Sequence, residues 1–242
     1  MASSTALKAA KKELRSLLKQ ELSGLTNVAI DDQSSAVFKR VTGFKAYQEA
    51  KRIGIYLSMP TGELQTDAIV RHALGAGKQV FVPYLFKPSN PPPDTPKSVM
   101  DMVDVRSLPD YDSLKRDSWG IPTMEADTVE GRERILNKRS QPLDAILMPG
   151  VAFDIDPESG FIRRLGHGKG FYDYFLHRYK QIYGSRDETS PGTDVLLYGL
   201  ALEEQFLKSD SGTSVPVGKH DNLLHGMIVG DGEIVEGPIP RE

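Results

Sequence analysis

The chain has 242 residues, a formal net charge of −3, 26% charged residues and no cysteine. That length favours one α/β domain, residues 1–242, with surface insertions. The near-neutral balance offers no general attraction for nucleic acid. No run approaches the ~18 apolar residues of a membrane span, and the missing cysteines exclude disulfides, Cys-ligated zinc, iron–sulfur clusters and thiol nucleophiles.

The first residues, MASSTALKAAKKELR, lack the apolar core of a secretory signal but are basic and free of acids until Glu13. A cytoplasmic location is expected, with a mitochondrial one as the alternative. Leu7, Leu14, Leu17, Leu18 and Leu22 recur at helical spacing among Lys8, Lys11, Lys12, Arg15 and Lys19, so residues 5–23 read as an amphipathic basic helix. A second helical pattern runs through Val37, Phe38, Val41, Phe44 and Tyr47.

Strand-like stretches follow: RIGIYLSM (52–59), QVFVPYLF (79–86), LDAILMPGVAFD (143–154) and DVLLYGLAL (194–202). Between the first two, LQTDAIVRHALGAGK reads as a helix closed by glycines. Apolar strands in β–α–β order predict a three-layer α/β/α sandwich around a mostly parallel open sheet, with ligands beyond the strands' carboxyl ends. Residues 87–98 (with five prolines), 130–142 and 184–193 read as loop insertions, and MIVGDGEIV (227–235) as a hairpin.

The stretch RLGHGKGFYDYFL, residues 164–176, carries the strongest chemical signal. Gly166, Gly168 and Gly170 let the backbone approach a ligand with successive N–H groups free. Phe171, Tyr174, Phe175, Arg178, Tyr179 and Ile182 then fall at helical spacing, so the loop opens a helix, whose N-terminus favours an anion. Lys169 adds a full charge, and Arg163 and Arg164 can add two more. Asp173 either complements the helix dipole or, if the anion is a nucleotide, helps hold the accompanying Mg²⁺. The spacing matches neither the P-loop nor the dinucleotide fingerprint, so phosphate or carboxylate is the most that the generic pattern specifies.

Six blocks together are more specific: KKELR, YLSM followed by Glu63 and Thr66, MDMV (100–103), SWGIP (118–122), LMPGVAFD and RLGHGKGFYD. In this order they resemble the 5-formyltetrahydrofolate cyclo-ligase family, also called methenyltetrahydrofolate synthetases, and they cover most of the chain. The resemblance implies an α/β/α fold and an Mg-ATP-dependent conversion of 5-formyltetrahydrofolate to 5,10-methenyltetrahydrofolate with release of ADP and phosphate. It implies 5-formyltetrahydrofolate and ATP as partners, no nucleic acid or membrane, and a monomer.

The residues suit that chemistry. A formyl amide is a weak electrophile with a poor leaving group, and phosphorylating its oxygen cures both defects without an enzyme nucleophile; the chain has no G-x-S-x-G motif. The protein must then supply position and positive charge. The resemblance implies Lys169 as the catalytic cation. It assigns ATP to Lys11, Lys12, Arg15, Arg164, Leu165, Gly166, His167, Gly168, Lys169, Gly170, Phe171 and Tyr172, the KK register leaving Lys11 and Lys12 as alternatives. It assigns the folate to Leu57, Met59, Glu63 and Trp119 with residues 167–171 of the loop, and Mg²⁺ to Asp173 and Asp221. Trp119, the only tryptophan, could equally be core packing, and Asp221 a turn residue. Tyr84 and Met100 are weaker folate candidates. His220, Asp221 and His225 lack the H-E-x-x-H spacing of a zinc site.

Two positions depart from the family pattern: His167, where many members have Arg or Tyr, and Phe171, where many have Tyr. Two other readings remain open: a non-catalytic folate- or nucleotide-binding protein on the same scaffold, and a sugar-phosphate isomerase with a similar anion loop, which would have no use for the N-terminal Lys/Arg pair.

Overall fold

The computed structural model describes residues 4–91, 93, 95–184, 195–208 and 212–238. Its elements are α1 (Ser4–Leu22), α2 (Asn27–Gly43), α3 (Lys45–Glu49), β1 (Arg52–Ile55), α4 (Asp67–Gly75), β2 (Gln79–Phe86), β3 (Val99–Val105), α5 (Leu108–Asp112), β4 (Lys115–Arg116), β5 (Pro122–Thr123), α6 (Ala126–Val129), β6 (Ala145–Met148), β7 (Ala152–Ile155), β8 (Ile162–Leu165), α7 (Phe171–Tyr183), β9 (Leu196–Ala201), β10 (Gly226–Val229) and β11 (Ile234–Glu236). All of the second predicted insertion and all but residues 92 and 94 of the first lie among them; residues 185–193 of the third fall outside the described residues.

Seven strands form the central sheet in the order β11-β10-β9-β6-β1-β2-β3. The inner five run parallel, and β3 and β11 close the edges antiparallel. Alternation along the strands sorts the core into two layers. Ile53, Ile55, Val80, Val82, Ala145 and Leu147 pack with Val37 and Val41 of α2, Tyr47 of α3 and Ile69 of α4. On the other face Phe81, Ile146, Met148 and Leu197 meet Phe175, Leu176 and Tyr179 of α7 and Phe153 of β7. Burying each such large side chain contributes about 1.5–3 kcal/mol. The α/β/α layering expected from the sequence is therefore present, and no described helix is long and apolar enough to cross a membrane.

Several boundaries differ from the sequence reading: β1 ends at Ile55 rather than Met59, and the second helical pattern breaks at the extended Phe44 into α2 and α3. LDAILMPGVAFD is two strands, because the chain breaks at Pro149 and Gly150 and pairs Ala152–Ile155 with Ile162–Leu165 as a separate hairpin. The second helix begins ten residues earlier than its apolar pattern, at Asn27, where the Thr26 hydroxyl accepts from Ala29 N at 3.2 Å. Residues 130–142 are not a loose insertion. Ile135 is fully buried and donates its N–H to Met102 O at 2.9 Å, so this charged stretch lines the outer edge of β3.

Candidate active site

The site forms beyond the carboxyl ends of β1 and β6, where the β7–β8 hairpin delivers the glycine loop to the start of α7. Gly168 (φ 92°) and Gly170 (φ 68°) occupy the left-handed region, so the loop needs glycine at both positions. Gly170 caps α7 with no side chain over its first amides, which leaves them open to an anion. Lys169 is exposed within this turn and makes no ion pair among the described residues.

Helix α1 is fixed on the loop by packing. Leu14 and Leu18 are buried against Val151, Ala152, Leu165 and Val215. At about 100° per residue, burying these two leucines turns Lys11 and Arg15 to one flank and Lys12 to the far side. Arg15 Nε donates to Gly166 O at 2.8 Å, and a Cβ on Gly168 would stand 3.1 Å from Arg15 Cζ. Burial pulls the Arg15 guanidinium below its ordinary value, opposed by the Asp221 carboxylate. Lys11 Nζ lies 2.5 Å from Asp221 Oδ2, whereas Lys12 is exposed, so Lys11 is the member of the pair that faces the loop.

Arg164 lies beneath the loop, its side chain only 4% exposed. It donates to Pro149 O at 3.2 Å, approaches Asp173 Oδ2 at 3.5 Å and covers the Tyr172 ring at 5.3 Å. Arg164 Nε and the Tyr172 hydroxyl are buried without a hydrogen-bond partner. Two orphaned polar atoms on side chains in contact mark a place still short of partners. Burial pushes the Tyr172 phenol far up, with Glu63 adding to the rise and Arg164 opposing it. Arg163, read from the sequence as a further loop charge, instead points away: it forks onto Asp154 and approaches Asp156 at 3.6 Å. Adjacent residues of a strand face opposite sides, so only one of the two arginines can serve the loop.

Across from the loop is the segment after β1. Leu57 is buried within the core, while Glu63, only 6% exposed, accepts from Met59 N at 2.8 Å. The Gln65 side chain ties the turn by donating to Met59 O at 2.9 Å and Glu63 O at 2.7 Å. The other Glu63 oxygen faces His167 Nε2 at 3.9 Å, which joins this segment to the glycine loop. Beyond it, Asp117 Oδ1 accepts from Trp119 N and Ile121 N, and a Cβ on Gly120 would stand 2.6 Å from Pro60 Cγ. Trp119 is 69% exposed on this turn, which removes the core-packing alternative. Met100 is buried in the sheet, and Tyr84 stacks on Phe86.

The two acids assigned to metal lie near each other. Asn222 donates both its backbone N–H and its side-chain amide to Asp173 Oδ1, each at 3.3 Å, and the adjacent Asp221 accepts from Gly218 N at 2.6 Å. Asn222 had no signal in the sequence beyond standing next to Asp221. No set of three or more His, Asp or Glu gathers among the described residues. Two hard carboxylates beside an anion cradle suit Mg²⁺, which takes one or two carboxylates and completes its shell with other oxygens and water. They do not resemble a zinc site, and His225 is buried with Nδ1 accepting from Leu197 N at 3.0 Å.

An open parallel sheet with a glycine cradle, convergent cations and a buried acid at its carboxyl end is the layout of an α/β enzyme acting on an anionic ligand. A sequence model of the 5-formyltetrahydrofolate cyclo-ligase family matches residues 7–230, and the chain belongs to that family. It is 36% identical to a probable 5-formyltetrahydrofolate cyclo-ligase of Caenorhabditis elegans, over 96% of this chain and 97% of that protein. It is 33% identical to the 5-formyltetrahydrofolate cyclo-ligase of Mus musculus, over 92% and 94%. The fold is similar to that of the 5,10-methenyltetrahydrofolate synthetase of Aquifex aeolicus, with a TM-score of 0.64 at 21% identity over 96% of this chain and 95% of the other.

Proposed function

We propose that this chain catalyses the ATP-dependent cyclisation of 5-formyltetrahydrofolate to 5,10-methenyltetrahydrofolate, releasing ADP and phosphate. The observation that supports this reading is the approach of His167 Nε2 to Glu63 Oε1 at 3.9 Å, which sets the glycine loop beside a buried acid suited to a pterin's N–H donors. A phosphoryl donor and a flat polar substrate can therefore meet there.

In the proposed reaction the formyl oxygen attacks the γ-phosphorus as the bond to the β-phosphate oxygen breaks and ADP leaves. N10 then adds to the activated carbon and loses its proton. The N5 lone pair expels phosphate to leave the methenyl cation. Loop amides 168–170 and Lys169 would neutralise the phosphoryl group in transit, with Lys11 and Arg164 on the nucleotide phosphates and Arg15 holding the loop's shape. Glu63 would orient the pterin, and Trp119 would cover its aromatic stem. Asp173 and Asp221 would hold Mg²⁺, which when bound supplies charge neutralisation at the phosphates.

The test is to mix the protein with Mg-ATP and 5-formyltetrahydrofolate and follow the methenyl chromophore. Turnover is expected. Its absence at high protein concentration, with ligand-induced thermal stabilisation retained, would replace this reading with that of a non-catalytic binder.

A further inference from the structure

Lys169 stands open to solvent, but four other charges around the glycine loop neutralise one another in two pairs. Lys11 Nζ lies 2.5 Å from Asp221 Oδ2, and Arg164 Nη2 lies 3.5 Å from Asp173 Oδ2. In each pair a cation assigned to nucleotide phosphate holds an acid assigned to the metal. The four side chains are between 4% and 25% exposed, so none can simply turn into water. The pairs are also joined: Asn222, next to Asp221, donates twice to the Asp173 carboxylate.

We propose that the two pairs are a charge-exchange latch that makes the chain bind magnesium and nucleotide as one unit. This rests on the assignment of the site to Mg-ATP. When both arrive, Lys11 and Arg164 pass from carboxylate to phosphate while Asp221 and Asp173 pass from cation to cation, and every charge keeps a partner. Metal-free ATP can take the two cations only by leaving two part-buried carboxylates unpaired beside its own negative charge. Magnesium alone can take the acids only by stranding Lys11 and Arg164. Either ligand alone must break a pair without compensation, which is costly where solvent screening is poor. The linkage belongs to the protein and adds to the affinity of the metal for ATP in solution.

The latch makes a prediction opposite in sign to a purely supportive role for Asp221. In Asp221→Asn the amide oxygen can still accept from Gly218 N–H, but Lys11 is released. Calorimetric titration of the full chain with ATP in excess EDTA should then show binding about five-fold tighter than in the parent, while Mg-ATP binds more weakly. Lys11→Met is the mirror and covers the case in which Asp221→Asn fails to fold: magnesium chloride alone should bind more tightly and metal-free ATP more weakly. Metal-free ATP binding that is unchanged or weakened in Asp221→Asn, with Mg-ATP still binding the parent, overturns the latch and leaves the site assignment standing. A parent chain that binds no form of ATP overturns both.

Discussion

Two arginines at opposite ends of the sheet show how differently this molecule treats a positive charge withdrawn from water. Arg52, at the amino end of β1, donates to Pro142 O, Gln79 Oε1, Glu133, Ser140 Oγ and Gln141 O. Arg164, at the carboxyl end, is more deeply buried, yet it has one hydrogen bond of 3.2 Å, one ion pair of 3.5 Å and an Nε with no partner. A saturated arginine ties segments together. An under-satisfied one is poised for an anion that is not part of the chain. A second pair of residues repeats the contrast: Lys169 is exposed without an ion pair among the described residues, whereas Asp144 at the amino end accepts from Lys51 N and Arg52 N.

If the contrast is functional, changes at the carboxyl end should cost turnover and changes at the amino end should cost stability. The largest effect is expected for Lys169→Ala: kcat should fall by about 10²–10³-fold with an unchanged melting temperature, since the side chain is exposed. Near-normal kcat would refute its role. Arg52→Ala should behave oppositely, lowering the unfolding free energy by about 3 kcal/mol because Glu133 is left without its cation, while KM for ATP in the folded enzyme stays put. Denaturant titration with parallel kinetics separates the two variants.

A pH effect belongs to the same stable end. Burial lowers the His225 imidazole from 6.5 to about 4, so between those values the unfolded chain binds a proton that the folded chain refuses. The contribution of neutral His225 is complete above pH 6.5 and is lost as pH falls towards 4, by up to about 3 kcal/mol. Denaturant melts from pH 7 to 4 should show this slope, and His225→Gln should flatten it; an unchanged slope in the variant would place the acid sensitivity elsewhere. The smallest effect is expected for Trp119→Ala, which should raise KM for the folate by about three- to ten-fold with stability intact, given its 69% exposure. A loss of stability there would mean that the ring is structural after all.

Much of this was legible in the sequence where the signal is local. QVFVPYLF is bounded by polar residues and is strand β2 as read, and the glycine loop opens α7 where the helical spacing begins. What escaped depends on partners distant in the chain. VMDMVDV did not read as a strand, because its buried Asp101 is tolerable only once Leu136 N, Met102 N and Arg134 satisfy it. The charged stretch 130–142 looked like an insertion because composition cannot show that Arg132, Glu133 and Arg134 each have a fixed partner. Within the site, which of Lys11 and Lys12 turns inward was a question of helix rotation, and that follows from the burial of Leu14 and Leu18. Ser34 shows the limit from the other side: a polar residue in the first half of α2 is buried because its hydroxyl donates to Ile30 O and accepts from Gln65 N.

The central claim is that the under-satisfied end of the sheet holds a phosphoryl group against a formyl oxygen. It is tested most directly by supplying 5-formyltetrahydrofolate labelled with ¹⁸O in the formyl group, with unlabelled ATP and Mg²⁺, and recovering the phosphate after turnover. Transfer to the formyl oxygen predicts that the label leaves in inorganic phosphate, one atom per turnover. Label recovered in water, with unlabelled phosphate, would contradict it.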